Sequence, residues 1–276
     1  MKKIILAASV LFVLLSSILI YQYITFADKK LHVVICNVGQ GDAIFIRTPK
    51  GSDILVDSGP DDAVLNCLGK HMPFWDRSIE IVILTHPDAD HVTGLVDVIK
   101  RYKVIRFYAS NKTTNTGVYK QFLQTLKENN IKQNYLSQGD KFVFKDGLTM
   151  KTLWPTHDWN GLTTNSFSVT ELLTYGKFKA LLTGDLDAEQ LIQASSLGVD
   201  INFLKVPHHG SRFGLTGEIL NILNPKIAVI SVGKNSYGHP TQFILDLLKS
   251  KNIKTLRTDQ VGDVEFISDG NMFKVQ

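Results

Sequence analysis

The sequence predicts an α/β (α+β) protein in which two sheets pack face to face with helices outside, behind an N-terminal hydrophobic segment. Three observations predict it. Apolar, β-branched runs recur along the chain, separated by turn dipeptides and by stretches of helical periodicity. They form one strand-rich half with helices and then a second of the same kind, which two stacked sheets satisfy better than a single parallel sheet. The 276 residues are 44% hydrophobic and 20% charged, enough to bury a sizeable core and too apolar for a disordered chain.

The N-terminus stands apart. Lys2 and Lys3 precede Ile4 to Ile20, which carry no charge, and uncharged residues continue to Ala27 before Asp28, Lys29 and Lys30. This is a secretion or membrane-insertion signal. The run is about long enough to span a bilayer, while Thr25-Phe26-Ala27 also offers a small-residue cleavage site. The reading adopted is an anchor over residues 1–28, with a cleaved signal peptide as its rival. Either exports a domain of residues 30–276, leaving it membrane-attached or secreted. The net charge of +4 is spread out and does not by itself indicate nucleic acid. Cys36 and Cys67 lack metal-type spacing. They read as two buried free thiols, with a single disulfide left open by export.

The elements follow in order. His32 to Val38, Ala43 to Arg47 and Asp53 to Asp57 are strands joined by short turns, an antiparallel meander. Asp61 to Lys70 is a helix with Asp61 or Asp62 near its N-cap. Ile81 to Leu84 is a buried strand that Pro87 terminates, and Val92 to Arg101 is a helix. Val104 to Tyr108 is a strand, Gly117 to Asn129 a helix, and Ile131 to Tyr135 extended. Asp146-Gly147 and Tyr175-Gly176-Lys177 each join two strands as a hairpin. Helices over 187–195, 215–223 and 242–251 then alternate with strands over 203–206, 227–232, 253–256 and 264–267.

The chemistry gathers where strands end. Thr85-His86-Pro87-Asp88-Ala89-Asp90-His91 places two imidazoles and two carboxylates within six residues, on a loop at the carboxyl end of a buried strand. Such a cluster suits one divalent cation, or two sharing ligands. Asp57 ends an apolar strand, and so does Asp185, whose two oxygens could bridge two cations. Pro207-His208-His209-Gly210-Ser211 follows another. On this extended segment the adjacent histidines point to opposite sides, so one can ligate metal while the other faces elsewhere, toward substrate. His239 follows the strand over 227–232. Each residue alone has a bland explanation as a polar turn or helix cap. Together, at the ends of successive strands, they describe one rim.

These residues, in this order, resemble the metallo-β-lactamase superfamily. More narrowly, the chain is similar to the hydrolase domain of ComEC-type competence proteins. The motifs are Asn-Val-Gly-Gln-Gly-Asp at 37–42, Thr-His-Pro-Asp-Ala-Asp-His at 85–91, Leu-Leu-Thr-Gly-Asp at 181–185, Leu-Lys-Val-Pro-His-His-Gly-Ser at 204–211 and Gly-His-Pro at 238–240. The resemblance covers roughly residues 31 to 270. It implies an αββα four-layer sandwich with a dimetal site at the sheets' edges. The isolated histidine of the superfamily's third motif has no counterpart, His157 lying in a loop; Thr164-Asn165-Ser166 stands in its place.

The resulting expectation is an exported, metal-dependent phosphodiesterase, most concretely a nuclease acting on DNA, that uses two divalent ions, Mn²⁺ or Zn²⁺. His86 and Asp88 would hold one metal; Asp90, His91 and one of the 208–209 pair the other, with His209 favoured over His208. Asp185 would bridge. His208, His239, Asp90 and Asp185 are the candidate catalytic residues, and Asp57, Asn165 and Ser211 would support ligands or substrate. The expected partners are DNA or another phosphodiester, and the membrane through the N-terminal segment; no obligate protein partner is implied. The rival readings are a surface phosphorylcholine esterase, a lactonase or β-lactamase, and a non-catalytic DNA-uptake module.

Overall fold

The computed structural model describes residues 2–195, 198 and 200–276. In chain order, the first half comprises α1 (Lys2–Phe26), β1 (Leu31–Ile35), β2 (Ile44–Arg47), β3 (Asp53–Val56), α2 (Ala63–His71), β4 (Ser78–Ile79), β5 (Ile81–Leu84), α3 (Ala89–Val92), α4 (Leu95–Arg101), β6 (Lys103–Val104), β7 (Phe107–Ala109), α5 (Gly117–Glu128) and β8 (Gln133–Tyr135). The second half comprises β9 (Lys141–Val143), β10 (Thr149–Trp154), β11 (Thr170–Tyr175), β12 (Phe178–Leu182), α6 (Ala188–Ser195), β13 (Phe203–Lys205), α7 (Gly217–Leu223), β14 (Ile227–Ile230), α8 (Gln242–Ser250), β15 (Lys254–Arg257), α9 (Thr258–Val261), β16 (Val264–Ser268) and β17 (Phe273–Val275).

Eight strands form one sheet in the order β17-β16-β1-β2-β3-β5-β7-β8, and seven form the other in the order β15-β14-β13-β12-β11-β10-β9. Period-two alternation explains the layering. In β3 and β5, Ile54, Val56, Ile81 and Ile83 point to the space between the sheets. Their neighbours Leu55, Val82 and Leu84 point outward, beneath α2, α4 and α5. The second sheet repeats this: Phe203, Ile227 and Val229 face inward, while Leu204, Ala228 and Ile230 meet α6, α7 and α8. Three apolar layers between four layers of structure make the αββα sandwich predicted from sequence. Strands buried on both faces read as continuous apolar runs, which is why they are legible.

Both sheets run their central parallel strands toward one rim. β3, β5 and β7 are parallel in one sheet, and β12 to β15 in the other. The loops after β3, β5, β12 and β13 therefore meet at the same edge. α1 leaves the domain only four residues before β1 and buries nothing against it.

Three local readings differ from the structure. The helix expected over Val92 to Arg101 is two pieces, α3 and α4, broken at Gly94. A Cβ there would sit 2.3 Å from the Ser58 carbonyl oxygen and 2.5 Å from that of Asp61, so the backbone passes where only glycine fits. The strand expected over Val104 to Tyr108 divides between β7 and β6, which pairs with β4 in a separate two-stranded ribbon. Cys36 and Cys67 are not free thiols but a disulfide, with Cα atoms 5.8 Å apart. Cys36 follows β1 on its outward-facing parity, and Cys67 lies on the buried face of the helix covering that face, so the fold brings them together.

Candidate metal centre

At the rim, the β3 loop acts first. Asp57 sits in the left-handed region at φ 58, a conformation that costs a non-glycine residue roughly 1–3 kcal/mol. Its carboxylate accepts from the Thr85 amide and hydroxyl, both at 2.7 Å, and from His91 Nδ1, also at 2.7 Å. Thr85 Oγ1 spends its hydrogen on Asp57, so it can only accept from His86 Nδ1, 3.0 Å away. On the opposite side, His209 Nδ1 donates to the Ser231 carbonyl at 2.8 Å. Each imidazole is tied through Nδ1, and each Nε2 is left buried and without a hydrogen-bond partner, as is Asp185 Oδ1.

The free ring nitrogens of His91 and His209 face the other oxygen of Asp185. Asp185 Oδ2 lies 3.4 Å from His91 Nε2 and 3.2 Å from His209 Nε2, and Asp90 Oδ2 is also 3.2 Å from His209 Nε2. One ligand atom from each of Asp90, His91, Asp185 and His209 falls within 4.8 Å of every other. His86 Nε2 and Asp88 Oδ2 form a second pair, 3.6 Å apart, and Thr164 Oγ1 donates to Asp88 at 3.0 Å. Buried ring nitrogens with no partner, facing carboxylates, are the arrangement a cation site requires.

The carboxylates make this site strongly attractive to positive charge. Burial lowers the pKa of His91, but Asp185, Asp57 and Asp90 outweigh it and hold the imidazole well above its usual value. Burial works against His209 as well, and Asp185, Asp90 and Asp42 push it up to about 10. Burial raises the Asp185 pKa, and the His209 and His91 rings overcome that to hold the carboxyl well below the usual range.

The histidine pair reaches its arrangement by a route the sequence reading did not foresee. Residues 207–210 form a 3₁₀ turn, and both His208 and His209 are left-handed, at φ 51 and 52. The alternation expected of an extended segment does not apply. The turn buries His209 and leaves His208 part-exposed, with Asn165 Nδ2 3.3 Å from its ring. His208 and His239 have ring centroids 5.4 Å apart. With Gln40, Asp88, Asp90, Asn165, Asp185, His209 and Tyr237 they line a mouth of about 190 Å³. Burial, with His208 and His209 adding to it, lowers the His239 pKa. Ser211 does not line this mouth: its amide donates to the His208 carbonyl at 2.8 Å, and its Oγ accepts from Phe213 N. His157 contacts Ser137 instead.

Sequence reading missed Asp42 and Lys205. Lys205 is wholly buried; its ammonium pairs with Asp42, donates to the Gly184 carbonyl at 3.0 Å and lies 3.6 Å from Asp185 Oδ1. Burial lowers its pKa, but Asp42 and Asp185 more than reverse this, so it stays charged. The loop carrying Asp42 fits because Gly41 lacks a side chain: a Cβ would lie 2.2 Å from the Asp90 carbonyl oxygen. A lysine within an apolar strand was the available signal. A strand covered on both faces offers it no route to solvent, so it needs a buried partner.

Residues 36–234 match the family described as the metallo-β-lactamase superfamily. The chain belongs to that superfamily. Metallo-β-lactamase superfamily proteins are in general metal-dependent hydrolases. The chain is 30% identical over 250 residues to ComE operon protein 3 of Bacillus subtilis (strain 168), covering 83% of this chain and 32% of that protein. It is 28% identical over 269 residues to competence protein ComA of Neisseria gonorrhoeae, covering 92% and 34%. The chain thus spans about a third of the length of these curated relatives. Zn²⁺-bound PqqB from Methylobacterium extorquens superposes with a TM-score of 0.55 at 12% identity, covering 82% of this chain and 97% of that one, a likeness of metallo-β-lactamase fold.

Proposed function

We propose that this chain is an exported or membrane-tethered phosphodiesterase that requires divalent cations and cleaves DNA or another nucleic acid. One observation carries the metal dependence: the buried Nε2 atoms of His91 and His209, without hydrogen-bond partners, converge on Asp185 Oδ2, and that of His86, equally unpartnered, faces Asp88. His86 and Asp88 would hold one cation, Asp90, His91 and His209 the other, and Asp185 would bridge. Cations held there would activate water and neutralise charge developing on phosphorus. The competence-protein relatives favour a nucleic-acid substrate over a lactone. The apolar α1 and the Cys36–Cys67 disulfide favour an oxidising, extracytoplasmic location.

The protein's own groups divide the remaining work. Asp57 and the Ser231 carbonyl fix two imidazole rings, so the ligand set is oriented before any substrate arrives. Lys205 holds Asp42 and lies beside Asp185. His208, Asn165 and His239 stand at the mouth, where a phosphodiester's unesterified oxygens would lie. His208 is placed to donate a hydrogen bond or a proton to the departing oxygen.

The test is a matched comparison of wild type and Asp185→Asn, purified identically, on labelled DNA with Mn²⁺. Wild type should cleave, and the variant should be slower by at least about 10²–10³ with an unchanged circular-dichroism spectrum. His209→Ala should lose metal, whereas His208→Ala should keep metal and lose rate. The carboxylate-rich ligand set should let Mn²⁺ support activity at least as well as Zn²⁺. Equal cleavage by wild type and Asp185→Asn would refute the assignment. Turnover of a phosphorylcholine ester or a lactone, with none of DNA, would refute the substrate.

A further inference from the structure

The strand directions divide the sandwich into two edges. β3, β5, β12 and β13 end at the metal centre, so the starts of these strands mark the opposite edge. β1 is antiparallel to β2, which is antiparallel to β3; β1 therefore also begins at that opposite edge. α1 ends four residues before it, a linker that spans at most about 14 Å. From Ile81 to His86, β5 and its loop carry the chain about 17 Å away from that edge.

Two further features occupy the same edge. A cavity of about 750 Å³ lies among the starts of β12, β13 and β14 and the C-terminal ends of α7 and α8. Its lining includes Lys177, Lys179, Lys226 and Lys251 against one carboxylate, Asp200. None of these lysines forms an ion pair among the described residues; Lys251 donates to Asn221 instead. Phe74 and Trp75 follow α2 at this edge, their rings in edge-on contact and 50% and 47% exposed. The Phe74 amide donates to Gln22 on α1 at 3.4 Å.

We propose that this edge rests on the surface of the bilayer that α1 enters, with anionic phospholipid headgroups seated in the lysine-lined cavity and Phe74 and Trp75 at the lipid interface. The proposal builds on the reading of α1 as a membrane segment. The chemistry is complementary: unpaired lysines meet headgroup phosphates, and paired aromatics occupy the boundary between lipid and water. The occupant is argued from continuity, because a helix of 25 residues with no buried side chain reaches the domain at this edge. The metal centre then faces away from the membrane, open to a polymer arriving from outside.

The test uses the full chain reconstituted into vesicles of phosphatidylcholine alone or of phosphatidylcholine with phosphatidylglycerol. Amines are briefly acetylated, and modification is quantified peptide by peptide by mass spectrometry. Flotation with both vesicles checks insertion of α1. Lys177, Lys179, Lys226 and Lys251 should be modified about fivefold less on the anionic vesicles, and high salt should abolish the difference. Lys120, exposed in the first turn of α5 on the metal-centre side, should be modified equally on both. Equal modification of the four lysines on the two vesicles would overturn the proposal. So would equal protection by inorganic phosphate, which would make the cavity a free-anion site, or by a short DNA duplex, which would make it a nucleic-acid face. Failure to float would overturn the membrane reading itself. None of these readouts depends on hydrolysis, so the proposed activity stands or falls separately.

Discussion

Asp57 shows how much one residue does here without touching the proposed substrate. It is held in a left-handed conformation, accepts three hydrogen bonds and fixes the tautomer of His91. Asp57→Asn would present an amide N–H to a ring nitrogen or lose a Thr85 bond. Metal content at limiting Mn²⁺ should fall, and activity should drop about 10–100-fold, while circular dichroism stays unchanged. Glu171 is a second such residue, away from the rim. It is fully buried, and Thr152 donates to one of its oxygens while the other has no partner. Burial outweighs the Thr152 bond and raises its pKa to about 8. A carboxyl whose folded pKa exceeds its unfolded value ionises first in the unfolded chain. Stability should therefore fall as pH rises from about 4.5 to about 8 and then level off. Glu171→Gln should flatten that slope only in part, because burial raises the Asp53 pKa to about 8 as well, and should raise stability at pH 8 by a few kcal/mol, on the order of the shift. Urea midpoints at pH 5 and pH 8 check both statements.

Among elements, the pairing of the loop after β1 with α2 offers a direct measurement. The disulfide closes a loop of sequence separation 31. Reduction, or a Cys36→Ser/Cys67→Ser variant, should lower unfolding free energy by about 2–4 kcal/mol, read from urea midpoints with and without dithiothreitol. The element scale also shows what the sequence made legible. The rim was readable because Asp57, His86, Asp185 and His209 each follow an apolar run, and runs buried on both faces announce themselves by composition. The disulfide was not, because pairing depends on which helix covers which face. Nor was the left-handed turn at His208 and His209, since nothing local to Pro-His-His-Gly distinguishes it from an extended segment. Lys205 was overlooked because lysine ordinarily reaches solvent, and only the two-sided burial of β13 removes that route.

At the scale of the whole molecule, two sheets deliver the candidate ligands to one edge while α1 departs from the other. Protease added to intact cells should therefore degrade the domain if export is correct, and full protection would contradict it. The same architecture places Lys205 beside the candidate metal centre as a positive charge bonded into the protein. Chelators can strip divalent ions but cannot remove an ammonium. After dialysis against EDTA, Asp42 and Asp185 would still have a counter-charge beside them, so the emptied centre avoids the full repulsion of bare buried carboxylates. The chelated protein should keep its circular-dichroism spectrum and unfold cooperatively, unlike small zinc domains that melt when their metal leaves. Folding and metal loading would then be separate events, and the chain could leave the cell folded and acquire its ions outside.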